Sequence, residues 1–160
     1  MGDIVLVEGN NELNIALTPI PLVTRWVSPT GHNDPQGEWS HTSYPPQRAY
    51  DGDDTTFAMS KVLYGISWSG WLELTHTPIY CNKVKYLLLR SNYGDIIEVE
   101  VQYGGSWHLV FQGVPGDYMW EEISLGGVYL LTGIRIRFYR SRTDKMIACD
   151  MYEVAFGEIT

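Results

Sequence analysis

Between Ala49 and Thr56 the chain reads Ala-Tyr-Asp-Gly-Asp-Asp-Thr-Thr, so three carboxylates and two threonine hydroxyls fall within eight residues. The Gly after Asp51 marks a sharp turn. Such a turn crowds the neighbouring side-chain and carbonyl oxygens together. Hard cations such as calcium take oxygen ligands of these kinds. The oxygens of Asp51, Asp53, Asp54, Thr55 and Thr56 are therefore candidates to face such a cation. An EF-hand is excluded by spacing: counted from Asp51, its loop needs Gly at the sixth position and Glu at the twelfth, where this chain has Thr56 and Val62. The other reading of the loop is an Asx-type turn with solvated acids.

A second chemistry is carried by Arg90-Ser91-Asn92-Tyr93. Sugars present apolar C–H faces, on which aromatic rings stack, and hydroxyls, which Arg, Asn and His can bond. Four residues here offer both kinds of contact. The alternative is that Arg90 pairs with an acid and Asn92 holds the turn. A long loop region over 28–48 carries Trp39, Tyr44, His32 and His41. Loops of this length inside a compact domain are often functional.

Catalysis has little support. Gly65-Ile66-Ser67-Trp68-Ser69-Gly70 approaches a nucleophile elbow, but its closing Gly is one place late and that motif needs a strand-to-helix turn. The four His (His32, His41, His76 and His108) are scattered without zinc spacing. Nineteen acids are present, yet Glu98 and Glu100 share one strand face and read as solvated surface. The chain is expected not to be an enzyme.

Strands must position these residues. Ile96–Tyr103 alternates strictly, with Ile97, Val99, Val101 and Tyr103 on one side and Glu98, Glu100 and Gln102 on the other. That pattern marks a half-buried antiparallel strand. Gly104-Gly105 predicts a tight hairpin, with Trp107, Leu109 and Phe111 on the return strand. Further strands are expected around Val84–Leu88, Met119–Leu125, Gly133–Tyr139 and Met151–Phe156. Arg135 and Arg137 alternate with Ile134, Ile136 and Phe138, which places them on an outer face. Helical periodicity is absent, and short strands with Gly-rich turns indicate a sandwich.

Composition narrows the function. The net charge of -8 opposes phosphate-backbone binding, which needs clustered Lys and Arg, so no nucleic-acid partner is expected. No run of eighteen apolar residues is present, hence no membrane-spanning helix is expected. Six Trp and eleven Tyr exceed what a core of this size consumes. Cys81 and Cys149 could pair only if their Cα atoms approach to about 5.5 Å; the other reading is two buried thiols. Met1-Gly2-Asp3 lacks the basic start and apolar core of a secretory signal, as expected if the chain is a piece of a larger protein.

Taken in order, Ala49-x-Asp51-Gly52-Asp53, Thr56, Trp71-x-Glu73-Leu74 and the closing Met151–Gly157 resemble the galactose-binding-like jelly roll. Discoidin (coagulation-factor type C) domains and many carbohydrate-binding modules share that fold. The resemblance covers about residues 24–157. It implies an all-β, antiparallel β-sandwich. It also implies a structural calcium in the Asp-Gly loop, assisted by Glu153 in the last strand. By position it implies a sugar site of Arg90 and Asn92, with Trp39 or His41 and with Tyr139 or Arg140. Ala58 stands where the family usually has Trp, and Phe57 is expected to take over its packing.

Residues 1–23 read as a β-hairpin and linker, and 24–160 as the jelly-roll domain. The hairpin resembles the closing hairpin of a carboxypeptidase-regulatory-type sandwich, the tail of a preceding domain; alternatively it adds edge strands. The expected function is non-catalytic recognition of terminal sugars on a glycan or glycoprotein, in an extracellular, cell-surface or virion setting. The alternatives are an adhesion or structural module contacting protein, or an accessory domain of an enzyme.

Overall fold

The structure is a computed structural model, and it describes residues 24–62, 64–89, 94–141 and 148–160. The N-terminal hairpin, Arg90 and Asn92 lie outside the described residues. The strands are β1 (Thr24–Val27), β2 (Gly31–Asn33), β3 (Ala58–Met59), β4 (Ser67–Trp68), β5 (Leu72–Leu89), β6 (Gly94–Tyr103), β7 (Ser106–Gly113), β8 (Met119–Arg140) and β9 (Asp150–Ile159), with one 3-10 turn at Pro46–Ala49. All the strand pairings are antiparallel, in the order β1-β9-β5-β8-β6-β7, and β2, β3 and β4 add to β5, β9 and β8.

Two long bent strands make this one continuous sheet into a sandwich. The second half of β5 pairs with β9 and with the first half of β8; the first half of β5 pairs with β2 and with the second half of β8, which continues to β6. The strands expected separately around Met119–Leu125 and Gly133–Tyr139 are thus one strand. The bend falls at register shifts after Thr75 and Cys81. Opposite them, Gly126 takes a φ of 72°, which glycine adopts without a Cβ clash.

The expected hairpin is present. Gly104 and Gly105 take φ values of 58° and 80° between β6 and β7, as a primed turn requires. Gly105→Val is expected to cost about 1–2 kcal/mol from the left-handed backbone alone, read as a lower denaturant midpoint with an unchanged slope. Ile97, Val99 and Val101 point into the core at 0% exposure. The return strand departs from simple alternation. Its register shifts opposite Val99/Glu100, a bulge that changes which face follows. Leu109 is therefore exposed, while Val110 and Phe111 both pack against the core.

The core joins both layers through Leu72, Leu74, Val84, Tyr86, Ile134, Ile136, Val154 and Phe156, all nearly inaccessible. Each large apolar side chain so buried contributes about 1.5–3 kcal/mol. Cys81 and Cys149 are buried free thiols, with burial the main cause of their raised pKa values. Ala58 belongs to this core, whereas Phe57 lies flat on Tyr44, centroids 4.7 Å apart, and against Tyr152. Phe57 does not fill a core place left by Ala58: it is half-buried, held outside the core by its ring contacts with Tyr44 and Tyr152.

Arg135 and Arg137 occupy an outer face, as expected. Arg135 pairs with Glu100 and Glu73, and Arg137 with Glu98. Their guanidinium groups lie 4.2–4.5 Å from the ring centroids of Trp107, Trp71 and Trp68. Guanidinium planes stack well on aromatic faces, so this face is laminated and leaves its Trp rings little free area.

Candidate binding site

The loop region 28–48 owes its shape to one side chain. Asp34 accepts the Glu38 N–H on one oxygen, and the Trp39 N–H and Ser40 hydroxyl on the other, at 2.8–2.9 Å. A carboxylate that accepts several local N–H groups organises a turn in the Asx manner. Glu38 and Gln36 extend this frame by accepting the N–H groups of Gly70 and Trp71. The loop is thereby tied to the strand that starts at Leu72.

Folded this way, the loop encloses a cleft of about 610 Å³ against the Pro46 turn, lined by His32, Asn33, Asp34, Pro35, Ser40, His41, Pro45, Pro46 and Gln47. His41 Nδ1 accepts the Ser43 N–H at 3.2 Å. The ring proton then sits on Nε2, which becomes a donor. The His41 ring rests on Tyr44, centroids 5.1 Å apart. His32 is fixed by a 2.8 Å hydrogen bond between Nδ1 and the Tyr50 hydroxyl. Asn33, Ser40 and Gln47 add amide and hydroxyl groups, while three prolines add C–H surface. Such an open cleft offers a small polyhydroxylated ring both polar groups and apolar C–H surface.

Of the described residues implied by the resemblance, only His41 lines this cleft. Trp39 is a correction. It is 0% exposed, its indole N–H donates to the Gly70 carbonyl at 2.9 Å, and its ring packs 5.9 Å from that of Phe138. Asp34 pins its backbone, so the ring turns inward as core. Arg140, at 2% exposure, is likewise buried in place of facing a surface sugar. Tyr139 is half-buried against Trp68, centroids 5.0 Å apart, on the neighbouring laminated face. Asp34, His32 and Gln47 were missed. The signal for Asp34 was present in Asp-Pro-x-Gly with Ser40 following.

The Asp51 loop is closed by its own hydrogen bonds and by the last strand. Asp51 accepts the Asp53 N–H at 2.9 Å and the Thr56 hydroxyl at 2.8 Å. Asp53 is engaged with the Thr55 N–H and hydroxyl, which hold its carboxyl below the usual range. Glu153 is 4% exposed and accepts the Gly52 N–H at 2.7 Å. Burial pushes its pKa up to about 7, with the Asp51 carboxyl beside it adding to the rise.

This arrangement bears on calcium in two ways. A buried carboxyl beside a second carboxyl favours a proton or a nearby cation, and the buried Glu153 stands in that position beside the exposed Asp51. Yet among the described residues no three His, Cys, Asp or Glu side chains converge as a metal cluster. An ion here would draw on Asp51, Glu153, the Thr56 hydroxyl and backbone carbonyls, a donor set that suits a hard cation.

The bent β5 and β8 and the antiparallel order make a jelly-roll β-sandwich, a fold that solved carbohydrate-binding modules share. Three of the solved structures that share it illustrate the likeness. Chitosan-binding module 1 of a chitosanase/glucanase from Paenibacillus sp. IK-5 aligns with a TM-score of 0.61 at 17% identity, over 79% of this chain and 92% of that one. The family 32 module of AlyQ, in complex with 4,5-unsaturated mannuronic acid, gives 0.59 at 16% identity, over 82% and 97%. The family 32 module of NanJ from C. perfringens, in complex with galactose, gives 0.54 at 12%, over 86% and 93%. No family model and no curated protein matches the sequence.

Proposed function

We propose that this domain is a non-catalytic carbohydrate-binding module that recognises a terminal sugar in the cleft beside His41. The observation that carries the reading is the Asp34-organised cleft, with its fixed His32 and its His41 Nε2 donor, on this fold. The three similar modules are described as binding chitosan, mannuronic acid and galactose, which supports sugars as the ligand class. Arg90 and Asn92 are proposed as further contacts on the strength of the family resemblance. Tyr139 is a weaker candidate from the adjoining face.

A structural calcium held by Asp51, Thr56 and Glu153, with backbone help from Asp53, is part of this proposal. The ion would tie the loop to β9 and take no part in sugar contact. Glycan polymers and glycoproteins lie largely outside cells, so the working location is extracellular or at a surface, within a larger protein. No helix among the described residues is long and apolar enough to cross a membrane.

Calorimetric titration of the wild-type chain against galactose, mannuronate oligomers and chitosan oligomers tests the function. Shallow, wet sites bind with dissociation constants of about 10 µM to 1 mM. One of the panel should bind in that range. His41→Ala should weaken it at least about fivefold, the worth of about one hydrogen bond. A flat response to a broad panel would remove the glycan reading.

A further inference from the structure

A second hollow, of about 290 Å³, shares no lining residue with the loop cleft. It lies on the outer face of the layer formed by β1, β9, and the paired halves of β5 and β8. Trp26 on β1 and Trp120 on β8 form its two walls. Between them β9 and β5 set Ala155 opposite Lys85 in register. The small Ala155 side chain leaves depth in the floor. Lys85 rises between the indoles, its ammonium 4.5 Å from the Trp26 ring centroid and 4.0 Å from that of Trp120.

The two lysines of this face are in different states. Lys83 is paired with Glu122 at 2.7 Å. Both ammonium groups lie over Trp26 and that of Lys85 also over Trp120. Glu122 and Glu153 attract Lys85 through space, but among the described residues no carboxylate lies within ion-pairing distance of it. An indole face attracts an ammonium but does not satisfy its three hydrogen-bond donors. Trp120 keeps 39% of its surface exposed. The hollow therefore combines two aromatic walls with an ammonium that, among the described residues, forms no salt bridge.

We propose that this hollow is a second saccharide site, selective for a carboxylated sugar of the uronic acid type. The pyranose lies above Lys85 at the mouth of the hollow, a C–H face against the exposed part of Trp120, and its carboxylate takes the Lys85 ammonium. Charge-assisted hydrogen bonds of this kind are about twice as strong as neutral ones. Asp54 and Glu153 border the hollow on the Asp51-loop side. They repel a second negative charge there and can accept sugar hydroxyls, which fixes the carboxylate at the Lys85 side.

Trigalacturonic acid and its methyl ester are the probes, titrated into the full chain at 50 mM salt with Trp fluorescence and calorimetry. The acid is expected to bind, and the ester, which keeps the ring but loses the charge, at least tenfold more weakly. Lys85→Gln and Trp120→Ala should each reduce binding of the acid at least tenfold; the exposed Trp120 keeps the second variant foldable, and an unchanged near-UV spectrum verifies both. His41→Ala should leave this binding intact, which separates the hollow from the loop cleft. The proposal is overturned if the wild type does not bind the acid, if acid and ester bind equally, or if both variants bind it like the wild type. Failure of every sugar at the His41 cleft would sink the proposed function and leave this result standing.

Discussion

Trp39→Ala is expected to lower stability by about 3–5 kcal/mol, the range for deleting a large aromatic side chain from a packed core. At about 2–4 °C per kcal/mol for a chain of this size, the melting temperature should fall by roughly 10 °C. The ring is 0% exposed, packs on Phe138 and hydrogen-bonds the Gly70 carbonyl. Its removal would open a cavity and leave that carbonyl without its indole partner. Trp39→Phe should cost less, since most of the volume remains. Thermal unfolding by circular dichroism separates this account from a ligand role. A surface sugar-stacking Trp would lose binding with little change in melting temperature. A shift under about 2 °C with lost binding would contradict the placement of Trp39 in the core.

The second large effect concerns pH and calcium. Glu153 has its folded-state pKa raised to about 7 by burial first and by Asp51 next, above the usual carboxyl value near 4.3. A raised carboxyl pKa means that the folded state holds the proton more tightly. Its contribution is complete below about pH 4.3 and is lost as pH rises through about 7. Asp150, raised to about 6 by burial, acts in the same direction over a lower window. In chelator, the protein should therefore become more stable from pH 8 down to pH 5, by on the order of 2–3 kcal/mol. If the proposed calcium binds beside Asp51 and Glu153, it competes with the Glu153 proton, so it should raise the melting temperature most at pH 8 and least at pH 5. Glu153→Gln should flatten the Glu153 part of the slope and abolish the calcium response. Equal melting temperatures with chelator and with millimolar calcium at pH 8 would mean that hydrogen bonds alone hold the loop.

The sequence carried the strands well where one face is buried and the other wet. Ile96–Tyr103 and its Gly104-Gly105 turn were legible because alternation and turn chemistry agree there. The return strand was legible only in part. Nothing in Trp107–Phe111 marks the bulge, which depends on the partner strand. The fusion of two expected strands into β8 was hidden for a related reason. Gly126-Gly127 reads as a turn, but here it bends one strand between two layers. The site was less legible than the fold. Trp39 and His41 are two residues apart in a loop, and sequence gave no way to tell which would be core. That choice rests on Asp34, whose carboxylate fixes the backbone between them. The Asp51 loop was legible as an oxygen cluster. The turn of Asp53 to Thr55 is the local Asx-type alternative, whereas that of Glu153 to Gly52 depends on a contact across the fold.

The central claim is that the Asp34-organised cleft binds a sugar, and an ¹H–¹⁵N correlation titration with the tightest-binding glycan of the panel tests it most directly. The account predicts progressive shifts centred on the amides of Asn33, Ser40, His41 and Gln47, which vanish in His41→Ala. Saturable binding that leaves those four amides unmoved would contradict it and place the sugar elsewhere on the domain.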